Sequence, residues 1–163
     1  MARRVELASS PGVHCVVVAQ AAMMRLGWSD RVAEVIPISV LLPQVGQGTI
    51  AVECRVDDFS TCELLDHLDD GDSRVALSAE RAFLDAVAGS CSLPLAAFAV
   101  VGDGGEIHLR AMLASGDGRI TVSVSGHGDD PLALGRQLAD EAICSYGEGR
   151  DGGRTSGSSW LSP

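Results

Sequence analysis

The sequence predicts a mixed α/β chain of the α+β kind. Its C-terminal unit is a three-stranded antiparallel sheet covered by helices, and a partial α/β layer precedes it. Three observations predict this. Between 96 and 124, three segments are apolar at alternate positions or throughout, and short glycine turns join them. Helical patterns flank that trio, at 74–88 and from Asp130 onward. Near the start, a β-branched run at 13–18 leads directly into a helical pattern. Strand side chains alternate between two faces and helical ones return every 3.6 residues, so the spacing of apolar positions reports the element.

Composition narrows the classes. A chain of 163 residues suits one ordinary domain, or a small domain with part of another. Apolar residues make up 46% but aromatics only 4%, so the core is built from Val, Leu, Ala and Ile. The net charge is -10 and no block of basic residues occurs, which argues against nucleic acid and against an anionic membrane surface. Cysteines stand at 15, 54, 62, 91 and 144, an odd number with no C-x-x-C pair. Neither a disulfide framework nor a zinc site is expected, and a reducing cytoplasm is the simpler compartment. The basic start, Met1 to Arg4, is not followed by an apolar run with a cleavage site, so no signal peptide is read. No apolar stretch has the length of a membrane span.

The elements follow in order. Val13 to Val18 suits a buried strand, Ala19 to Leu26 a helix, and Gly27 its end. Ile36 to Gln44 contains two prolines and reads as an extended crossover. After Gly46-Gln47-Gly48, the alternation of Ile50, Val52 and Cys54 with Thr49, Ala51 and Glu53 predicts a half-buried strand over 49–55. The two glycines either form a plain turn or allow a close backbone approach that a Cβ would block. Asp57 to Asp72 is an acidic, solvated stretch with Leu64, Leu65 and Leu68 on one helical face.

Val75, Ala79, Ala82, Phe83, Ala86 and Val87 predict an amphipathic helix over 74–88, capped by Asp72 or Ser73 and ended by Gly89. Ala96 to Val101 is an apolar strand. Ile107, Leu109, Ala111 and Leu113 mark a second, and Ile120, Val122 and Val124 a third. Asp130 caps a last helix with Pro131 at its first position, where a missing N–H costs nothing, and Gly147 is expected to stop it. Gly89-Ser90-Cys91-Ser92-Leu93-Pro94 places one cysteine on a connection between helix and strand. A thiol there is either a small packing residue or a reactive group.

Two motifs and their order then match a known family. Leu42-Pro43-Gln44-Val45-Gly46-Gln47-Gly48-Thr49-Ile50-Ala51-Val52-Glu53 resembles the L-P-x-V-G-Q-G-A-L-A-I-E of the porphobilinogen deaminase, or hydroxymethylbilane synthase, family. Ala79-Glu80-Arg81-Ala82-Phe83-Leu84 resembles its A-E-R-A-F-L, and Gly89 to Leu95 its G-G-C-x-x-P-I. Val17 to Gly27 resembles V-L-A-x-A-G-L-x-R-L-G, and the likeness runs over most of 13–147.

The resemblance implies a C-terminal half of that family. Residues 1–73 would be a remnant of the catalytic domains of an incomplete two-domain, periplasmic-binding-protein-like core. Residues 74–147 would be the cofactor-attachment domain, and 148–163 a flexible tail. It implies that Cys91 holds a dipyrromethane through a thioether, the primer on which four porphobilinogen units are joined with loss of ammonia. It implies a cofactor or substrate contact at Gln47, with Gly46 and Gly48 letting the backbone approach, and Ser90 beside the cysteine. Glu80 and Arg81 are expected to form an ion pair on the helix surface. No residue is assigned to acid–base catalysis or to a metal, and His14, His67, His108 and His127 form no ligand set.

Departures from the family pattern accompany these expectations. Ser90 replaces a motif glycine, His14 stands at the aspartate of a Y-D-A stretch, and Ala22 replaces the glycine of A-G. The family's catalytic aspartate and its arginine-rich G-S-S-x-x-R-R segment have no counterpart in the 163 residues. Each porphobilinogen brings two carboxylates that need fixed cationic partners. The chain alone is therefore expected to be weakly active or inactive, with a second chain as one source of the N-terminal half. The other reading is a non-catalytic α/β module that binds a ligand or partner. An exposed apolar surface is expected on 13–55 in either case.

Overall fold

Residues 1–88 and 94–152 are described by a computed structural model. The helices are α1 (Ala2–Leu7), α2 (Gln20–Arg25), α3 (Phe59–Asp66), α4 (Gly71–Ala88) and α5 (Pro131–Gly152). The strands are β1 (Leu95–Val101), β2 (Ile107–Ala114) and β3 (Thr121–Gly128). Contacts divide the chain into two compact units, Met1–Val40 and Leu41–Pro163. No helix among the described residues is long and apolar enough to cross a membrane.

The second unit contains the expected antiparallel meander in the order β1-β2-β3. Alternation decides its two faces. Ala97 pairs with Ala111 and Ala111 with Val124, while Ala99 pairs with Leu109. These residues, with Ile107 and Leu113, are buried with α4 and α5 in one core. The intervening His108 is exposed and Arg110 and Met112 are half-buried. Gly105 and Gly118 take positive φ in the two turns, a backbone region that a Cβ disfavours.

The two helices approach closely because their contact faces are small. Ala79, Ala82, Phe83 and Val87 of α4 are buried, as are Leu134, Leu138, Ala139 and Ala142 of α5. A Cβ built on Gly135 would lie 2.5 Å from the Ala79 carbonyl oxygen and 2.6 Å from the Ala82 Cβ. Only glycine fits at that crossing. Burial of each large apolar side chain, Phe83 and Leu138 among them, contributes roughly 1.5–3 kcal/mol.

Helix ends differ from the sequence expectation in two places. Asp70 caps α4, and neither Asp72 nor Ser73 does: its Oδ1 accepts from the Ser73 N–H at 2.8 Å. The first turn is solvent-exposed, so it carries no apolar signal from which its start could be read. Gly147 does not stop α5, which runs on to Gly152. A glycine stop needs a left-handed residue, and Gly147 is not among the positive-φ glycines. Tyr146 still packs on the core there, so continuing the helix keeps a buried contact. The cap at Asp130 is as expected, with Oδ1 accepting from the Leu132 and Ala133 N–H groups at 2.9 and 3.0 Å.

The first unit has little core, with Met23 its one fully buried apolar side chain among the described residues. Gly27 ends α2 at φ +68°, as expected. Arg31 stacks its guanidinium over Trp28, 4.9 Å from the ring centroid. The α1 helix was invisible to periodicity because it buries no residue.

Residues 13–18 and 49–55 are not strands, contrary to the sequence expectation. Both have strand-like composition, but a strand exists only through a ladder, and neither finds a partner among the described residues. The α3 helix is capped by Asp58, which accepts from the Thr61 N–H at 3.2 Å. Its Leu64 and the following Leu68 are 69% and 71% exposed.

Candidate functional site

The G-Q-G segment is a turn set on the C-terminal unit. Gln47 N–H donates to the Gln44 carbonyl at 3.0 Å, and Thr49 N–H to the Gly46 carbonyl at 3.1 Å. Gly46 sits at φ +70°, and a Cβ there would also press on Leu77 Cδ1 at 3.2 Å. Its need for glycine is thus internal to the fold. Gly48 has open space around its Cβ position, and Gln47 is exposed. The Gln47–Gly48 side of the turn is therefore the accessible one. Val45, just before the turn, packs against the core.

Glu80 holds this turn in place. It is 7% exposed, the one buried charged side chain among the described residues. Its Oε2 accepts from the Gly46 N–H at 2.7 Å and its Oε1 from the Ala99 N–H at 2.9 Å. The expected ion pair with Arg81 is not formed. Consecutive helical residues point about 100° apart, so Glu80 turns inward while Arg81 stays exposed. Ala99 lies on β1, the sheet's edge strand, where an outward N–H lacks a ladder acceptor. One carboxylate thus satisfies an orphan donor of the sheet edge and one of the turn, through charge-assisted hydrogen bonds.

Sequence reasoning noticed the A-E-R-A-F-L motif but misassigned Glu80. A usable signal was present: Glu80 directly follows Ala79 on the stripe facing Phe83. A carboxylate beside a fully buried stripe must find donors.

Cys91 and Ser90 lie outside the described residues. The flanking elements are described: α4 ends at Ala88, and the Pro94 carbonyl accepts from the Ala114 N–H at 2.9 Å just ahead of β1. In the chain, the cysteine-bearing connection therefore joins the two elements whose groups Glu80 ties to the turn.

Other polar features do not converge on the turn. His108 and His127 are cross-strand partners with ring centroids 6.0 Å apart. Glu106 lies 3.2 Å from His108 Nε2 and 3.9 Å from His127 Nε2. His14 and His67 are exposed elsewhere. Among the described residues, no group of three or more His, Cys, Asp or Glu could hold a metal. A groove of about 560 Å³ along α4 and α5 is lined by Arg81 and Arg136, but also by Asp85 and Asp140. Its charges are balanced.

Two family models match the stretches that carry the turn and the helices and strands behind it. The family model for "Porphobilinogen deaminase, C-terminal domain" matches residues 75–143. The one for "Porphobilinogen deaminase, dipyromethane cofactor binding domain" matches residues 1–63. The chain belongs to the porphobilinogen deaminase family. Curated relatives of that name agree. The Brevibacillus brevis protein is 42% identical over 134 residues, which cover 82% of this chain and 43% of the relative. The Roseiflexus sp. protein is 43% identical over 129 residues, 78% of this chain and 42% of its own. That of Desulfitobacterium hafniense is 43% identical over 128 residues, 78% of this chain and 41% of its own. The chain thus spans about two fifths of the length of these porphobilinogen deaminases. The turn at 46–48 falls within the cofactor-binding match, and position 91 within the C-terminal match.

Proposed function

We propose that this chain is the C-terminal portion of a hydroxymethylbilane synthase and that Cys91 holds its dipyrromethane through a thioether. The complete enzyme would join four porphobilinogen units head to tail, releasing ammonia at each step, in cytoplasmic tetrapyrrole and haem biosynthesis. The observation that carries this reading is the Glu80 clamp. It ties the G-Q-G turn to α4 and β1, the two elements that the Cys91 connection joins in the chain.

The chemistry suits a thiol. Loss of ammonia from porphobilinogen leaves an electrophilic methylene, and a soft sulfur nucleophile adds to it, forming a C–S bond and releasing the thiol proton. When bound, the dipyrromethane is the primer to which the pyrrole units are joined. In this reading Gln47 contacts cofactor or substrate from the exposed side of the turn, with Gly48 open beside it, Gly46 shaping the turn and Ser90 adjoining the thiol.

The residues present fit attachment better than recognition. Porphobilinogen carboxylates need fixed guanidinium groups, yet Arg81 and Arg136 share their groove with two aspartates. The catalytic aspartate and the cationic cradle would come from the family's other domains, in a two-domain, periplasmic-binding-protein-like core. A second chain is one way to supply them. Exposed apolar residues in the strand-like stretches, Val17 at 65%, Ile50 at 74% and Val52 at 59%, support a missing strand partner.

The test is the intact mass of this chain after co-production with a complete enzyme. A covalent dipyrromethane that survives denaturation and disappears in Cys91→Ser is expected. Absence of any adduct on Cys91 under these conditions would sink the proposal and favour a non-catalytic binding module.

A further inference from the structure

We propose that Cys54 and Cys62 form a reversible dithiol–disulfide pair, a redox modification site separate from the cofactor thiol. Their sulfurs lie 3.6 Å apart and are hydrogen-bonded to each other. A disulfide needs about 2.05 Å, so closure asks for a movement of about 1.5 Å. Solvent reaches both residues, since Cys54 is exposed and Cys62 half-buried.

The two sulfurs differ in how firmly they are held. Cys62 sits on α3, where its N–H donates to the Asp58 carbonyl at 3.0 Å and its Sγ to the Arg55 carbonyl at 3.8 Å. Cys54 ends an extended stretch, 50–54, that makes no backbone hydrogen bond among the described residues. The helix fixes one partner and the free stretch lets the other yield. A pair in which both backbones were rigid would have to store the mismatch as strain.

The reaction is a thiol–disulfide exchange with a low-molecular-weight disulfide as oxidant. One thiolate attacks a sulfur of the oxidant, whose S–S bond breaks and expels a thiolate. The second cysteine then attacks the protein sulfur of that mixed disulfide and expels the other. Two protein thiols are oxidised, one small disulfide is reduced to two thiols, and the two protons pass to the expelled thiolates. The closed loop spans the Arg55–Asp58 turn and the α3 cap. It fastens the otherwise unanchored 50–54 stretch to a helix.

The experiment uses the full chain titrated with mixtures of reduced and oxidised glutathione, quenched in acid and mapped without reduction. The expected product has lost two hydrogens, contains a peptide linking Cys54 to Cys62, and titrates two fewer free thiols in denaturant than the reduced chain. In Cys62→Ser, lacking the second nucleophile, glutathione accumulates as a stable adduct on Cys54. Circular dichroism of the reduced variant checks that the fold is kept. Trivalent phenylarsine oxide gives a second readout: one arsenic bridging both sulfurs in the wild type, at least tenfold weaker in either serine variant. A stable glutathione adduct on both sulfurs of the wild type, or linkage of either to Cys15, Cys91 or Cys144, overturns the proposal.

Discussion

Glu80 shows how one side chain sets the geometry of a neighbourhood. Removing its carboxylate strands two N–H groups, of Gly46 and Ala99, at positions water reaches poorly. An unmade buried hydrogen bond costs about 1–3 kcal/mol. Glu80→Ala is therefore expected to lower the urea midpoint by an amount equivalent to at least about 2 kcal/mol, while Arg81→Ala, on the exposed side, stays within about 0.5 kcal/mol. Equal losses for the two variants would mean that the clamp is not what holds the turn. Gly135 makes the opposite kind of demand. Gly135→Ala places a methyl within 2.9 Å of three α4 atoms, and overpacking of that sort costs about 1–3 kcal/mol. Thermal denaturation of Gly135→Ala beside Gly147→Ala, which has open space, isolates the crossing from generic helix propensity.

Helix ends carry the titratable part of the element scale. The Asp58 carboxyl is held below the usual aspartate range by hydrogen bonds from the Thr61 side chain and backbone and from Ser60. Asp70 is lowered likewise by the side chain and backbone of Ser73. A depressed folded-state value means that the cap's contribution is complete above the unfolded value and is lost as pH falls through the folded one. Acidification below the ordinary aspartate range is thus expected to lower the protection of the Thr61 and Ser73 amides, measured as exchange relative to the intrinsic rate at the same pH, before the core amides of β2 respond. Simultaneous loss of all three would show that the caps do not open locally. The thiol of Cys54 is raised by its hydrogen bond to Cys62, then by desolvation and by the charges of Cys62, Asp58 and Asp66. Attack by the Cys54 thiolate on glutathione disulfide should accordingly keep accelerating with pH beyond the point where an unperturbed thiol levels off.

The whole molecule is unevenly built. The unit from Leu41 onward encloses a continuous core of helix and sheet, whereas residues before it bury one apolar side chain fully. Large apolar side chains stand in solvent in both units, among them Val40 at 75% exposure in the first and Val56 at 90% and Phe59 at 75% in the second. The purified chain is expected to associate as its concentration rises, measured by light scattering; a monodisperse monomer at all concentrations would contradict this. Under the proposed function, the chain alone should not turn over porphobilinogen, and product formation without any added partner would refute that.

Local pattern determined most of the C-terminal unit. Alternation at 96–124 specified three strands, the stripe from Val75 to Val87 a buried helix face, and Asp130-Pro131 a helix start, because burial of one face imposes its own period on the residues. The motifs at 42–53 and 79–95 were likewise enough to name the family. Tertiary structure decided what pattern could not carry. Residues 13–18 and 49–55 read as strands yet form none, since a strand is a property of a pair and the pairing partner is not encoded in the segment itself. Glu80 read as a surface charge and is a buried clamp, since its donors, Gly46 and Ala99, lie 34 and 19 residues away and meet it only when the chain folds.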